Sequence, residues 1–178
     1  NEKIQKTPAE AILEGLAKDG GLYMPQSFDA LKFPMENLAQ MTSKQIAAKV
    51  LELFFGGDSM FIEDDDKLAE FDKLVMRAYN GKWGNGGSDY APLSQVGDAY
   101  VMELYHGPTC AFKDVALQIL PHLIVEAKRA TGMKEDIVIL TATSGDTGGA
   151  ALEGFSDIDG IKIIVFYPKN GTSTVQER

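Results

Sequence analysis

The sequence holds one cysteine and two histidines in 178 residues. A lone Cys110 excludes an intrachain disulfide and any cysteine-rich zinc site, and such sparing use of cysteine fits a reducing compartment, so a cytoplasmic location is expected. His106 and His122 do not form an HExxH pattern, which leaves a catalytic zinc without support. Basic charge is also scarce. Seventeen Lys and Arg stand against 26 Asp and Glu, a formal net charge of -9. With no basic stripe, nucleic acid is not an expected partner, because phosphate backbones are held by clustered Lys and Arg. No apolar run reaches the roughly 20 residues a membrane helix needs, and the N-terminus lacks a basic-then-apolar leader. The chain opens at Asn1 without a methionine, so leading residues are expected to be missing or processed. What is present is ordinary for a globular protein: 44% hydrophobic and 24% charged residues, enough for one large domain or a domain and part of another.

Helix signals dominate the first half. Thr7-Pro8-Ala9-Glu10 reads as a start, with Thr7 as N-cap, Pro8 in the first turn and Glu10 completing a capping box. Ala9, Ile12, Leu13 and Leu16 then share a face, and Gly20-Gly21 is the expected stop. Thr42 and Gln45 repeat the capping pattern ahead of Ile46, Val50, Leu53 and Phe54, with Gly56-Gly57 closing that helix. Glu63-Asp64-Asp65-Asp66 has the residue type of a hard-cation site. It precedes the amphipathic series Leu68, Phe71, Leu74, Val75, Ala78, and acids at a helix start are favoured by the dipole, so capping is the preferred reading. The glycine-rich stretch Asn80 to Ser88 lacks the Gly-Lys-Ser/Thr ending of a P-loop and reads as a mobile joint, with Trp83 as a packing anchor.

The pattern changes after Leu93. Val101, Met102, Leu104 and Tyr105 form a strand candidate, and Asp114 to Arg129 reads as one buried helix that Pro121 kinks or loosens by a turn. Ile137-Val138-Ile139-Leu140 and Ile161 to Phe166, the latter apolar but for Lys162, are runs typical of buried parallel strands, separated by a short helix from Gly149 to Phe155. Strand, helix, strand, helix, strand predicts a parallel sheet with right-handed crossovers. The expected organisation is a mainly helical domain over 1–92 and a partial α/β domain over 93–178.

Two stretches carry candidate chemistry. The first is His106-Gly107-Pro108-Thr109-Cys110-Ala111-Phe112-Lys113-Asp114, which places Lys113 at the expected mouth of a helix. There the positive end of the peptide dipole disfavours an ammonium and suits the amine to attack on an aldehyde. Position alone leaves a solvated surface lysine as the alternative. The second is Thr141 to Gly149, Thr-Ala-Thr-Ser-Gly-Asp-Thr-Gly-Gly, which follows a strand and opens a helix, the place where open α/β sheets bind ligands. Its amides and hydroxyls converge on a site for a carboxylate or phosphate. A tight turn capped by Asp146 or Thr147 accounts for the same residues.

Together these two stretches resemble the signature segments of the threonine synthases. Ala11 to Pro25 resembles that family's N-terminal signature, and Tyr167-Pro168-Lys169 with Val175-Gln176-Glu177 has a counterpart there as well. The resemblance implies an α/β protein: a helical N-terminal region followed by part of the parallel-sheet architecture of fold type II pyridoxal-phosphate enzymes, similar to tryptophan synthase β. It implies conversion of O-phospho-L-homoserine and water to L-threonine and phosphate. Lys113 would attach pyridoxal 5'-phosphate covalently and move the substrate's protons. Phe112 and Asp114 would shape the cofactor site, and Ser144, Gly145, Asp146 and Thr147 would hold the substrate carboxylate. His106 reads equally as a strut or a substrate contact, and Cys110 as a small packing residue.

The family's glycine- and asparagine-rich phosphate loop and the group facing the pyridine nitrogen have no counterpart before Arg178. The sequence is therefore expected to be incomplete at the C-terminus, to need the remaining C-terminal portion of a longer parent, and to be inactive alone. Other readings are another fold type II lyase such as a threonine dehydratase, or a noncatalytic domain that binds a small anion.

Overall fold

The computed structural model describes residues 4–28, 35–56, 64–79, 81–84 and 89–174. Glu63, Gly57, most of the expected joint at 80–88 and Val175 to Glu177 lie outside the described residues. The chain divides into two compact units, one comprising Asn1–Arg77 and His122–Lys134, the other Ala78–Pro121 and Glu135–Arg178. The division expected after residue 92 falls inside the second of these.

In the first unit both capping boxes form. Thr7 Oγ1 accepts from the Glu10 amide while Glu10 accepts from the Thr7 amide, opening helix α1, Pro8–Glu14. Thr42 and Gln45 do the same for α2, Ser43–Phe55. Helix α1 stops earlier than the Gly20-Gly21 signal predicts, because Gly15 takes a positive φ of 72° that ends the helical run. Leu16 consequently leaves the helix face and pairs with Leu22 across a tight reversal, with the Gly20 amide donating to the Ala17 carbonyl. Asp64 accepts from the Lys67 amide at 2.9 Å ahead of α3, Asp65–Ala78, which is the capping role expected for that acidic run. Among the described residues no group of three or more His, Cys, Asp or Glu side chains could hold a metal ion. The core of this unit is apolar and helical. Phe55 meets Phe71 with ring centroids 5.8 Å apart, and Leu74, Val75, Leu123, Ile124 and Ala127 are buried. Burial of each Leu, Ile or Phe side chain is worth about 1.5–3 kcal/mol.

The second unit departs from the expected topology. Strands β1, Leu93–Val96, and β2, Ala99–Met102, form an antiparallel hairpin around Gly97-Asp98, with Gly97 at φ 60°. The strand candidate near Val101 is thus half of a hairpin and not a member of the parallel sheet. Its side chains are exposed, Tyr100 at 69%. The parallel sheet consists of β3, Ile137–Ala142, and β4, Ile161–Phe166, in register from Ile137 opposite Ile161 to Ala142 opposite Phe166. Helix α6, Asp146–Phe155, connects them and packs on β4, its Ala150, Ala151 and Phe155 buried.

The long kinked helix expected over 114–129 is two helices, α4, Asp114–Leu117, and α5, Leu120–Thr131. Pro121 is the cause: it has no amide hydrogen to donate to the Leu117 carbonyl, so the chain ends one helix and restarts another with proline in its first turn. Leu117 is then free to approach α6. A Cβ added to Gly154 would lie 2.9 Å from the Leu117 carbonyl carbon. An aromatic cluster completes this core. Tyr79 stacks on Tyr90 at 4.9 Å and tilts against Trp83 at 6.1 Å, and its hydroxyl donates to the Val115 carbonyl at 2.7 Å. Trp83 is buried, as expected of an anchor.

Candidate functional site

The loop from His106 to Asp114 is held closed by its last residue. Asp114 is fully buried, and its carboxylate accepts from the Thr109 amide at 2.9 Å and the Thr109 hydroxyl at 2.7 Å. Gly107 is buried against that side chain. Cys110, between them, adopts φ 60° and is exposed, which differs from the packing role expected of it: the reversal of the loop turns its side chain outward. The start of the loop is fixed separately. Glu103 accepts from the Ser94 hydroxyl and meets His106 Nε2 at 2.6 Å, and the His106 carbonyl accepts from the Gly84 amide at 2.7 Å. The hydrogen bonds from Ser94 and then His106 hold the Glu103 carboxyl below its ordinary range. Of the two readings of His106, the geometry matches the strut.

Between these anchors Phe112 is 59% exposed and Lys113 half-buried. Lys113 is the N-cap of the four-residue α4, not of a long helix. The dipole argument made from the sequence therefore loses most of its weight, since one turn sums few peptide units. The lysine's environment is set by side chains instead. Its Nζ lies 4.4 Å from the centroid of the Phe112 ring and donates to Asp146 Oδ2 at 3.0 Å.

Asp146 belongs to the second predicted stretch. The loop runs on from β3, where the Thr143 amide donates to the Phe166 carbonyl and the Gly145 amide to Thr143 Oγ1, and α6 begins at Asp146. Gly148 allows close packing there, since an added Cβ would lie 2.9 Å from Val165 Cγ1. Lys113 holds the Asp146 carboxyl below its ordinary range, with smaller help from the amides of Asp146 and Thr147. Ser144 and Asp146 are exposed and Gly145 and Thr147 half-buried, so the turn meets solvent.

The tertiary structure thus brings Lys113, Phe112 and the 144–147 turn together, while Asp114 turns inward to hold the loop. Sequence reasoning missed Glu103, whose only signal was its i, i+3 spacing from His106. A cleft of about 740 Å³ in the helical unit lies elsewhere, lined by residues of both charges including Lys67, Asp72, Arg77 and Glu126. It contains none of the motif residues. No helix of the described residues is long and apolar enough to cross a membrane.

The architecture is that of the fold type II enzymes. The chain aligns with the structure of PLP-bound threonine synthase from Brucella melitensis at a TM-score of 0.78 and 37% identity, covering 94% of this chain and 34% of that one. Yeast threonine synthase aligns at a TM-score of 0.79 and 30% identity, covering 95% and 34%. Residues 1–79 match the family model described as threonine synthase N terminus. The threonine synthase of Pseudomonas aeruginosa is 41% identical over 175 residues, which is 95% of this chain and 34% of that protein. The chain is similar to the N-terminal portion of these threonine synthases, and it spans about a third of their length.

Proposed function

We propose that this chain is the lysine-bearing part of a threonine synthase, acting with a C-terminal remainder on O-phospho-L-homoserine to give L-threonine and phosphate. The observation that carries the reading is the approach of Lys113 Nζ to within 3.0 Å of Asp146 Oδ2. A reactive amine and an anion-binding turn from separate motifs share one site.

The donor set fits pyridoxal 5'-phosphate at its aldehyde end. Lys113 presents a primary amine that is partly open to solvent, beside an exposed aromatic ring. The cofactor, when bound, supplies an electron sink for carbanion chemistry. The chain's own residues do the rest. Lys113 would hold the cofactor through its amine and, when that amine is free, would take the substrate's Cα proton and move protons at Cβ. Ser144, Gly145, Asp146 and Thr147 hold the substrate carboxylate through backbone amides and hydroxyls at the start of α6. Phe112 lines the cofactor site, and Asp114 keeps the lysine loop in shape from beneath. The cofactor's phosphate falls to residues outside this chain, so the chain alone turns over no substrate. A cytoplasmic location fits the single cysteine.

The test is to incubate the chain with pyridoxal phosphate, reduce with borohydride and map the modified lysine by peptide mass spectrometry. Modification concentrated at Lys113 is expected, together with phosphate release from O-phospho-L-homoserine when the chain is joined to the C-terminal portion of a relative. Labelling spread over surface lysines, or preference for another residue, would overturn the assignment.

A further inference from the structure

Glu103 stands outside the motif that carries Lys113, yet its side chain joins the lysine loop to the hairpin. Its place follows from strand geometry. Glu103 continues β2 beyond Met102, its amide donating to the Pro92 carbonyl at 2.9 Å. Ser94 lies opposite Val101 in the ladder, so Glu103, two positions further along, is on the same face and diagonal to it. One carboxylate oxygen accepts from the Ser94 hydroxyl, and the other meets His106 Nε2 at 2.6 Å. An ionised carboxylate only accepts, so Nε2 carries the hydrogen. The bond is short, as bonds to an ionised acceptor are, and both side chains are half-buried. Beyond His106 the loop is a closed body: Asp114 binds Thr109 and is packed against Gly107. Such a body keeps its shape but still has to be aimed. Its N-terminal attachment is His106, whose carbonyl accepts from the Gly84 amide at 2.7 Å while its ring is held by Glu103.

We propose that Glu103 is a positioning residue for Lys113: acting through the His106 ring, it sets the direction in which the closed lysine loop leaves the hairpin and so brings the amine to the 144–147 turn. The path from one to the other is short. Gly107 follows His106 and is buried against Asp114, and Lys113 immediately precedes Asp114. The outcome of that placement is the 3.0 Å approach of Lys113 Nζ to Asp146 Oδ2. Tyr105, whose ring lies 4.7 Å from that of His106, is exposed and offers the loop little packing support. Without Glu103 the His106 ring loses its acceptor, and the loop keeps its shape but not its aim. The inference rests on the function proposed above for what the amine is used for; where the amine is placed is a property of the chain itself.

The experiment is reductive methylation of the chain with formaldehyde and cyanoborohydride, the rate at each lysine being read by peptide mass spectrometry. Lys49 and Lys162, ion-paired to Glu52 and Asp136, serve as internal references. Glu103→Ala is expected to speed modification of Lys113 by about two- to fivefold relative to both, the range for losing one exposed ion pair. Glu103→Gln, whose amide group can accept from His106 and donate to Ser94, is expected to restore the parent rate. His106→Ala is expected to match Glu103→Ala, and the double variant to be no faster than either, because the two side chains act in series. In an Asp146→Asn background, where the ion pair is already absent, Glu103→Ala is expected to leave the Lys113 rate unchanged. Further speeding there would mean general loosening of the loop and would overturn the positioning role. Equal Lys113 rates in the parent, Glu103→Ala and His106→Ala, with circular dichroism unchanged, overturn it as well. If Glu103→Ala does not fold, His106→Ala alone decides between the same two results. Failure of pyridoxal phosphate to attach at Lys113 in the parent chain is a separate outcome, which removes the proposed function without altering the formaldehyde rates.

Discussion

Gly107 and Asp114 are in contact across the lysine loop: a Cβ on Gly107 would stand 2.6 Å from Asp114 Cβ and closer still to Oδ2. Asp114 cannot retreat, because it is fully buried and tied to Thr109. Gly107→Ala is therefore expected to lower stability by about 1–3 kcal/mol through overpacking and to reduce attachment of pyridoxal phosphate at Lys113. Urea denaturation and borohydride mapping measure the two effects. A stability change near zero would mean the loop can open at Gly107 without strain.

The same carboxylate separates two kinds of contribution. Asp114→Ala leaves the Thr109 amide and hydroxyl without their acceptor, and an unsatisfied buried donor costs about 1–3 kcal/mol. Thr109→Val removes one hydrogen bond but leaves the carboxylate its amide partner, so a smaller loss of about 1 kcal/mol is expected. Denaturation midpoints of the two variants should fall in that order. The reverse order would show that the cost of burying the Asp114 carboxylate outweighs the two bonds it accepts.

Helices α4 and α6 approach closely at Gly154, where an added Cβ would lie 2.9 Å from the Leu117 carbonyl carbon and closer still to its oxygen. A backbone neighbour cannot rotate away as a side chain can. Gly154→Ala should accordingly cost about 1–3 kcal/mol, whereas Ala at Gly149, which has open space around it, should cost nothing by sterics. Paired melting curves of the two variants check the contrast.

Burial, with a smaller effect from Tyr90, pushes the Tyr79 phenol above its ordinary range. The sign follows from linkage. A group whose folded value is raised contributes stability that is complete below its unfolded value, about 10 for tyrosine, and lost as pH rises toward the folded value. The parent chain should lose stability above about pH 10, and Tyr79→Phe should lose less in that window. At neutral pH the variant gives up the bond to the Val115 carbonyl, about 1 kcal/mol. Chemical denaturation across the alkaline range decides whether both effects occur.

What the sequence by itself determined is local. The capping boxes at Thr7 and Thr42 and the cap at Asp64 were readable because donor and acceptor stand three residues apart, within one turn of backbone. The runs at Ile137 and Ile161 were readable as strands because both are short, rich in β-branched apolar residues and bounded by turn residues. The hairpin at Gly97-Asp98 went unread, although that dipeptide between two extended segments is a turn signal, because the apolar run after it suggested a parallel strand. Only the tertiary structure decided that Asp114 turns inward and that Lys113 meets Asp146, a residue 33 positions away. Contacts of that kind depend on how loops are carried by packed elements, and no periodicity or propensity of either segment encodes the distance between them.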